Sequence, residues 1–128
     1  MRRVKQRNSK DCGVACVAML ADISYESAFD KVYKNGKVDH TEICDLKRAL
    51  VSLGLKTAYR TVKIEKNNLE KLAVNAIVKT APRRDGSWHW MVWDSQEKKL
   101  IDPKIPPYKR PRIHAYLGVT GHFRVNPR

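Results

Sequence analysis

The change of polarity at Cys12 constrains this chain more than any other feature. Residues Gln6 to Leu20 read QRNSKDCGVACVAML, a polar lead-in containing Ser9 and Asp11 followed directly by an apolar, helix-like run. The pattern predicts a helix over 11–21 with Asp11 in the N-cap position. A thiol is thereby placed at a helix N-terminus, where free N–H groups and the helix dipole favour the thiolate, the nucleophilic form of cysteine. Gln6 stands six residues upstream, with an amide able to donate to a developing oxyanion.

Downstream, Ser24 and Ser27 flank a second helix start, and Ala28, Phe29, Val32 and Tyr33 give it an apolar face as far as Asn35 and Gly36. A third helix is expected to begin at Asp39 or Thr41, to repeat Ile43, Leu46, Leu50 and Leu53 at helical spacing, and to end at Gly54. The pattern then turns to strands. They are expected over 56–62, 76–80, 88–93, 99–101 and 118–125, with a short helical piece at 68–72 and an irregular stretch around Pro106, Pro107 and Pro111. Helices first and strands afterwards predict an α+β fold, N-terminal helices packed on a C-terminal antiparallel sheet, in one domain over 1–128.

Composition narrows the function classes. A hydrophobic share of 42% with three tryptophans excludes a disordered chain, and no run of eighteen apolar residues is present to span a membrane. The apolar stretch at 14–20 is short and no cleavage site follows it, which argues against a secretory signal. Three cysteines without framework spacing fit a reducing, cytoplasmic compartment rather than a disulfide scaffold. The 26 basic residues against 13 acidic ones, a net charge of +13, invite a nucleic-acid partner. Basic residues are spread along the chain, however, and no helix-turn-helix, zinc-ligand pair or aromatic RNA-binding signature accompanies them. A basic solvated surface is the plainer reading, and a nucleic-acid-binding protein is kept as the alternative from a different class.

A nucleophile needs a base, and His40, His89, His114 and His122 are available. His89 lies in SWHWMVWD, between Trp88 and Trp90 at the start of a strand, where bulky rings shield an imidazole and hold one orientation. Asp102, in LIDP, ends the next strand after a turn over 95–98. In a hairpin the start of one strand faces the end of the next, so His89 and Asp102 are expected to be neighbours. Asp102 would then accept from one ring nitrogen while the other faces the thiol, a nucleophile–base–orienter arrangement. His40 and His122 read as surface or cap residues, and Cys16, one turn after Cys12, as core. Cys12, Cys16, Cys44 and a histidine lack the short spacing of a zinc knuckle. Trp88 and Trp90 should share one face of their strand, with Trp93 on the other.

Taken in order, Gln6, the Asp11–Cys12–Gly13 core with Cys16 behind it, His89 before Trp90, and Asp102 before Pro103 resemble the bacteriocin-processing, double-glycine peptidases. These are papain-like cysteine peptidases, usually the N-terminal domain of peptide-exporting ABC transporters. The resemblance covers about 4–103 and implies a papain-like fold, Cys12 as nucleophile, His89 as general base, Asp102 as the residue orienting it, and Gln6 as oxyanion donor. It implies a peptide or protein substrate and neither cofactor nor metal. No P-loop sequence is present, which predicts a free-standing domain working beside a separate exporter or an inhibitor protein. The segments KIPPYKRPR (104–112) and GVTGHFRV (118–125) depart from the family pattern and bear on the pocket beyond the base. The same triad also serves deamidation, transglutamination, toxin chemistry or silent peptide binding, so it leaves the reaction open.

Overall fold

The computed structural model describes residues 1–33 and 36–121, in the expected order of helices and then strands. Helices α1 (Cys12–Ala21), α2 (Tyr25–Val32) and α3 (Ile43–Ser52) precede strands β1 (Lys56–Thr57), β2 (Val62–Lys63), β3 (Asn75–Thr80), β4 (Trp90–Asp94), β5 (Lys99–Ile101) and β6 (Ile113–Thr120). A 3-10 helix (Lys66–Lys71) lies between β2 and β3. All pairings are antiparallel and the sheet order is β1-β6-β3-β4-β5, with β2 also on β6. The molecule is an α+β fold with helices on an antiparallel sheet.

Because α1 is apolar on every side, it is a core helix: all of its residues are buried, packed against α2, α3 and β4. Asp11 occupies the N-cap position but makes no capping bond. Its carboxylate instead turns back to accept the N–H groups of Arg7 (2.8 Å) and Asn8 (3.0 Å) and the Tyr25 hydroxyl (2.6 Å), tying the polar lead-in to the helix. Ser24 does cap α2, its Oγ accepting from the Ser27 N–H at 3.1 Å. α3 starts at Ile43, later than expected, because Glu42 and Asp45 form a reciprocal capping box there. α2 closes at Val32, short of the expected stop, whose Asn35 lies outside the described residues.

The sheet corrects two strand boundaries. The single strand expected over 56–62 is split, since the five steps from Thr57 to Val62 face only three on β6, from Val119 to Tyr116. The surplus residues leave the ladder and carry Tyr59 out to 85% exposure. The last strand runs over Ile113–Thr120 rather than from 118, because Ala115, Leu117 and Val119 alternate inward. The remainder of the expected strand, from His122 onward, lies outside the described residues. As alternation requires, Trp90 packs with Trp88 on the helix side of the sheet, beside Val92 and Ile101, and Trp93 packs opposite with Leu69, Val78 and Met91. No single helix among the described residues is long and apolar enough to cross a membrane.

At Gly13, α1 comes close to Thr41 and to Leu46 of α3. A Cβ there would lie 2.5 Å from Thr41 Oγ1 and 2.8 Å from Leu46 Cδ2, both on buried residues. Gly13→Ala gains about 1 kcal/mol of helix propensity but overpacks the contact by about 1–3 kcal/mol. A net loss of stability and a lower melting temperature are expected in thermal unfolding. An unchanged or higher melting temperature would show that the helices part without cost.

Candidate active site

The first residue of α1 is Cys12, and its backbone N–H therefore has no partner within the helix. The burial of α1 against β4 holds that end of the helix on the sheet, where the Trp90 N–H points at Cys12 Sγ from 3.5 Å. His89 immediately precedes β4. Thr80, at the end of β3, accepts the His89 N–H on Oγ1 at 2.9 Å, while the Thr80 N–H donates to the His89 carbonyl at 3.0 Å. Both backbone groups of His89 are thus fixed before the strand begins. Asp102 immediately follows β5, and the pairing of Val92 with Ile101 brings it back alongside His89.

Across that hairpin His89 Nε2–H donates to Asp102 Oδ1 at 2.7 Å. Cys12 acts electrostatically on the imidazole, and with Nε2 engaged by Asp102 the ring nitrogen left for it is Nδ1. All three groups are nearly dry: Cys12 is 7%, His89 5% and Asp102 8% exposed. Asp102 is further held by the backbone N–H groups of Lys104, on Oδ1, and Tyr108, on Oδ2, each at 2.9 Å. Burial pulls the imidazole pKa down, but the hydrogen bond to Asp102 and the interaction with Cys12, with the negative charge of both, more than reverse this and push it up to about 9. The charged, imidazolium form of His89 is thereby favoured. Cys16, one turn further into the helix, is driven the other way: burial and the negative charges of Cys12 and Asp102 push its thiol pKa well up. The structure therefore separates two cysteines only four residues apart, one at the imidazole and one held as a core thiol.

Gln6 is placed differently from its three companions. Its backbone N–H donates to the Pro103 carbonyl at 2.9 Å, which anchors the lead-in next to Asp102. Its side-chain Nε2 donates to the Asn8 carbonyl at 2.8 Å, and Oε1 is buried without a hydrogen-bond partner among the described residues. The backbone of Gln6 is anchored next to the site's acid, while its side-chain donor is occupied locally.

Two contributors went unnoticed in the sequence. Tyr108, from the 104–112 segment, packs edge-on against His89 with ring centroids 5.1 Å apart and supplies one of the N–H groups on Asp102. Its distance from Asp102 in a proline-rich stretch gave no periodic signal. Thr41 accepts the Trp90 indole N–H on its carbonyl at 3.1 Å and so steadies the strand start that faces Cys12. His40 and His114 are exposed, and His122 lies outside the described residues. Among the described residues no three His, Cys, Asp or Glu side chains converge as a metal site.

The Peptidase C39 family model matches residues 1–112 of the chain. Among the solved structures similar to it are two peptidase domains. One is the peptidase domain of Streptococcus ComA, described as a bi-functional ABC transporter involved in a quorum-sensing pathway. It has a TM-score of 0.60 and 16% identity, covering 94% of this chain and 98% of that one. The other is the peptidase domain of Streptococcus mutans ComA, with a TM-score of 0.53 and 16% identity, covering 94% of this chain and 99% of that one. At such identity the likeness speaks for the fold. A comparison with curated protein sequences gives no match.

The His89 pKa of the folded protein lies above its ordinary value, so its contribution to stability is complete below about 6.5 and is lost as the pH rises through about 9. Denaturant unfolding should show stability declining across that window, with an imidazole NMR titration near its upper end. Asp102→Asn should flatten the decline and bring the titration down. A wild-type imidazole already titrating near 6.5 would contradict the described pairing.

Proposed function

This chain belongs to the peptidase C39 family and is a cysteine peptidase, and from that premise we propose that Cys12, His89 and Asp102 are its catalytic triad. The observation that carries the reading is the 2.7 Å contact of His89 Nε2 with Asp102, which leaves the other ring nitrogen to a cysteine at a helix N-terminus. His89, held as an imidazolium, pairs with a Cys12 thiolate. The sulfur attacks the carbonyl carbon of the scissile peptide bond, and the electron pair moves onto the carbonyl oxygen. The unpartnered N–H of Cys12 and the amide of Gln6 receive that oxyanion, Gln6 by exchanging its Asn8 carbonyl for the new acceptor.

His89 then gives its Nδ1 proton to the departing amine, leaving a thioester on Cys12 and a neutral imidazole. A water molecule surrenders a proton to that imidazole as it attacks the thioester, which frees the acid product and restores the ion pair. Asp102 keeps one ring orientation through both steps because three donors fix its own carboxylate. The substrate is a peptide, and we assign it small residues before the scissile bond. With Cys12 at 7% and His89 at 5% exposure, a carbonyl reaches the sulfur only where the flanking residues carry little bulk, which supports a Gly-Gly leader.

The test is cleavage of peptides with and without Gly-Gly before the broken bond, followed by mass spectrometry. Cys12→Ala should lose all turnover while keeping its fold, and Gln6→Ala should lose about 10²–10³ in kcat, the usual effect of removing one oxyanion donor. Undiminished cleavage by Cys12→Ala would overturn the triad, and equal cleavage of bulky and glycine-containing peptides would overturn the leader assignment.

A further inference from the structure

Near His89 the end of β3, the turn after it and the 104–112 segment line an open surface pocket of about 340 Å³, and its charge is one-sided. Arg83 and Arg84 come from the turn after β3, Arg110 and Arg112 from the segment before β6, and Tyr108 and Thr80 wall the side toward the catalytic histidine. The two arginine-bearing stretches are held together by the Ala81 N–H, which donates to the Arg112 carbonyl at 2.7 Å. The turn is closed by the Arg83 N–H on the Ser87 carbonyl at 2.8 Å. Asp85, the nearest acid in sequence, accepts the Ser87 N–H (2.9 Å) and hydroxyl (2.6 Å) on Oδ1, and these bonds, with a smaller part from the Arg83 charge, hold its carboxyl below the usual range. Among the described residues no carboxylate forms an ion pair with any of the four guanidinium groups. Positive charge is in excess over Asp85 here, and an anion in the pocket relieves the repulsion between the guanidinium groups.

We infer that this cavity is a specificity subsite for an acidic side chain of the peptide substrate, a deepening that rests on the assignment of Cys12 and His89 as the reacting pair. Two features connect it to that pair. The Tyr108 ring meets the His89 ring at 5.1 Å, and Thr80 carries the His89 N–H on its hydroxyl, so the cavity is one side chain away from the imidazole. Guanidinium groups suit a carboxylate, which each can grip with two parallel N–H donors. A nucleic acid fits less well. The one aromatic ring of the lining, Tyr108, already carries Arg83 Cζ and Lys104 Nζ, each 4.6 Å from its centroid, where a base would have to stack.

Fluorescence anisotropy with a labelled hexaglutamate peptide, its hexaglutamine counterpart and a single-stranded oligothymidylate tests the inference on the full chain. The acidic peptide should bind and the glutamine peptide should not. Arg110→Gln combined with Arg112→Gln should weaken the acidic peptide about tenfold, as should Arg84→Glu from the opposite wall, in line with losing two exposed charge contacts. Lys10→Gln with Lys31→Gln removes equal charge elsewhere and should leave binding intact. Bound hexaglutamate should also slow alkylation of Cys12. Equal losses in the arginine and lysine pairs would reduce the effect to net charge and overturn the subsite. A greater arginine-dependent loss for the oligonucleotide would assign the cavity to nucleic acid. Arginine-dependent peptide binding beside a Cys12 with no enhanced reactivity would keep the anion subsite and discard the catalytic pair.

Discussion

A helix with no solvent face leaves its chain few choices, and α1 has none: its residues from Cys12 to Ala21 are all buried. It has to lie between the sheet and the other two helices, and its N-terminus then has to emerge where the lead-in crosses the start of β4. Apolar burial of this kind, worth about 25 cal/mol for each Å² removed from water, is non-directional and would by itself allow the helix to slide. Gly13, against Thr41 and Leu46, and the Asp11 carboxylate, gripping Arg7, Asn8 and Tyr25, remove that freedom. The hydrophobic effect sets where the helix goes, and two polar or steric details set its register. The position of the thiol follows from both.

The opposite half of the site depends on burying a carboxylate without leaving it unsatisfied. Asp102 is nearly dry, and a buried anion without partners is among the most destabilising things a fold can contain. The Lys104 and Tyr108 N–H groups and the imidazole meet that requirement, so the proline-rich segment is as much part of the site as the hairpin. Arg3 strengthens the same corner, donating to the carbonyls of Asp102 (2.9 Å) and Lys104 (2.7 Å). The lead-in is thus strapped to the acid at one end and to α1 at the other, and this joins the two halves of the site mechanically.

Much of this could be read from residues alone, for physical reasons that differ by element. α1 was legible because an unbroken apolar run has one interpretation, and His89 with Asp102 because a four-residue turn fixes which hairpin residues face each other. β6 was misplaced because its inward members, Ala115, Leu117 and Val119, alternate with Tyr116 and Gly118, which give little polar contrast since Tyr116 packs against the Trp93 cluster on the other face. The division of the first strand is set by a mismatch in length against β6, a property of two distant segments together. Asp11 was assigned the local job its position suggests, whereas tertiary partners offered its carboxylate three donors. Tyr108 reaches His89 only through the path of an irregular segment, which no periodicity encodes.

The claim on which everything else rests is that the imidazole beside Cys12 activates it and no other thiol. Alkylation by iodoacetamide, followed at each cysteine by mass spectrometry in wild type and His89→Ala, measures this directly. The account predicts that at mildly acidic pH, where an ordinary thiol with a pKa of about 8.5 is almost fully protonated, Cys12 reacts fastest and loses that advantage without His89. A Cys12 that reacts no faster than the exposed Cys44, or equally fast in His89→Ala, would contradict it.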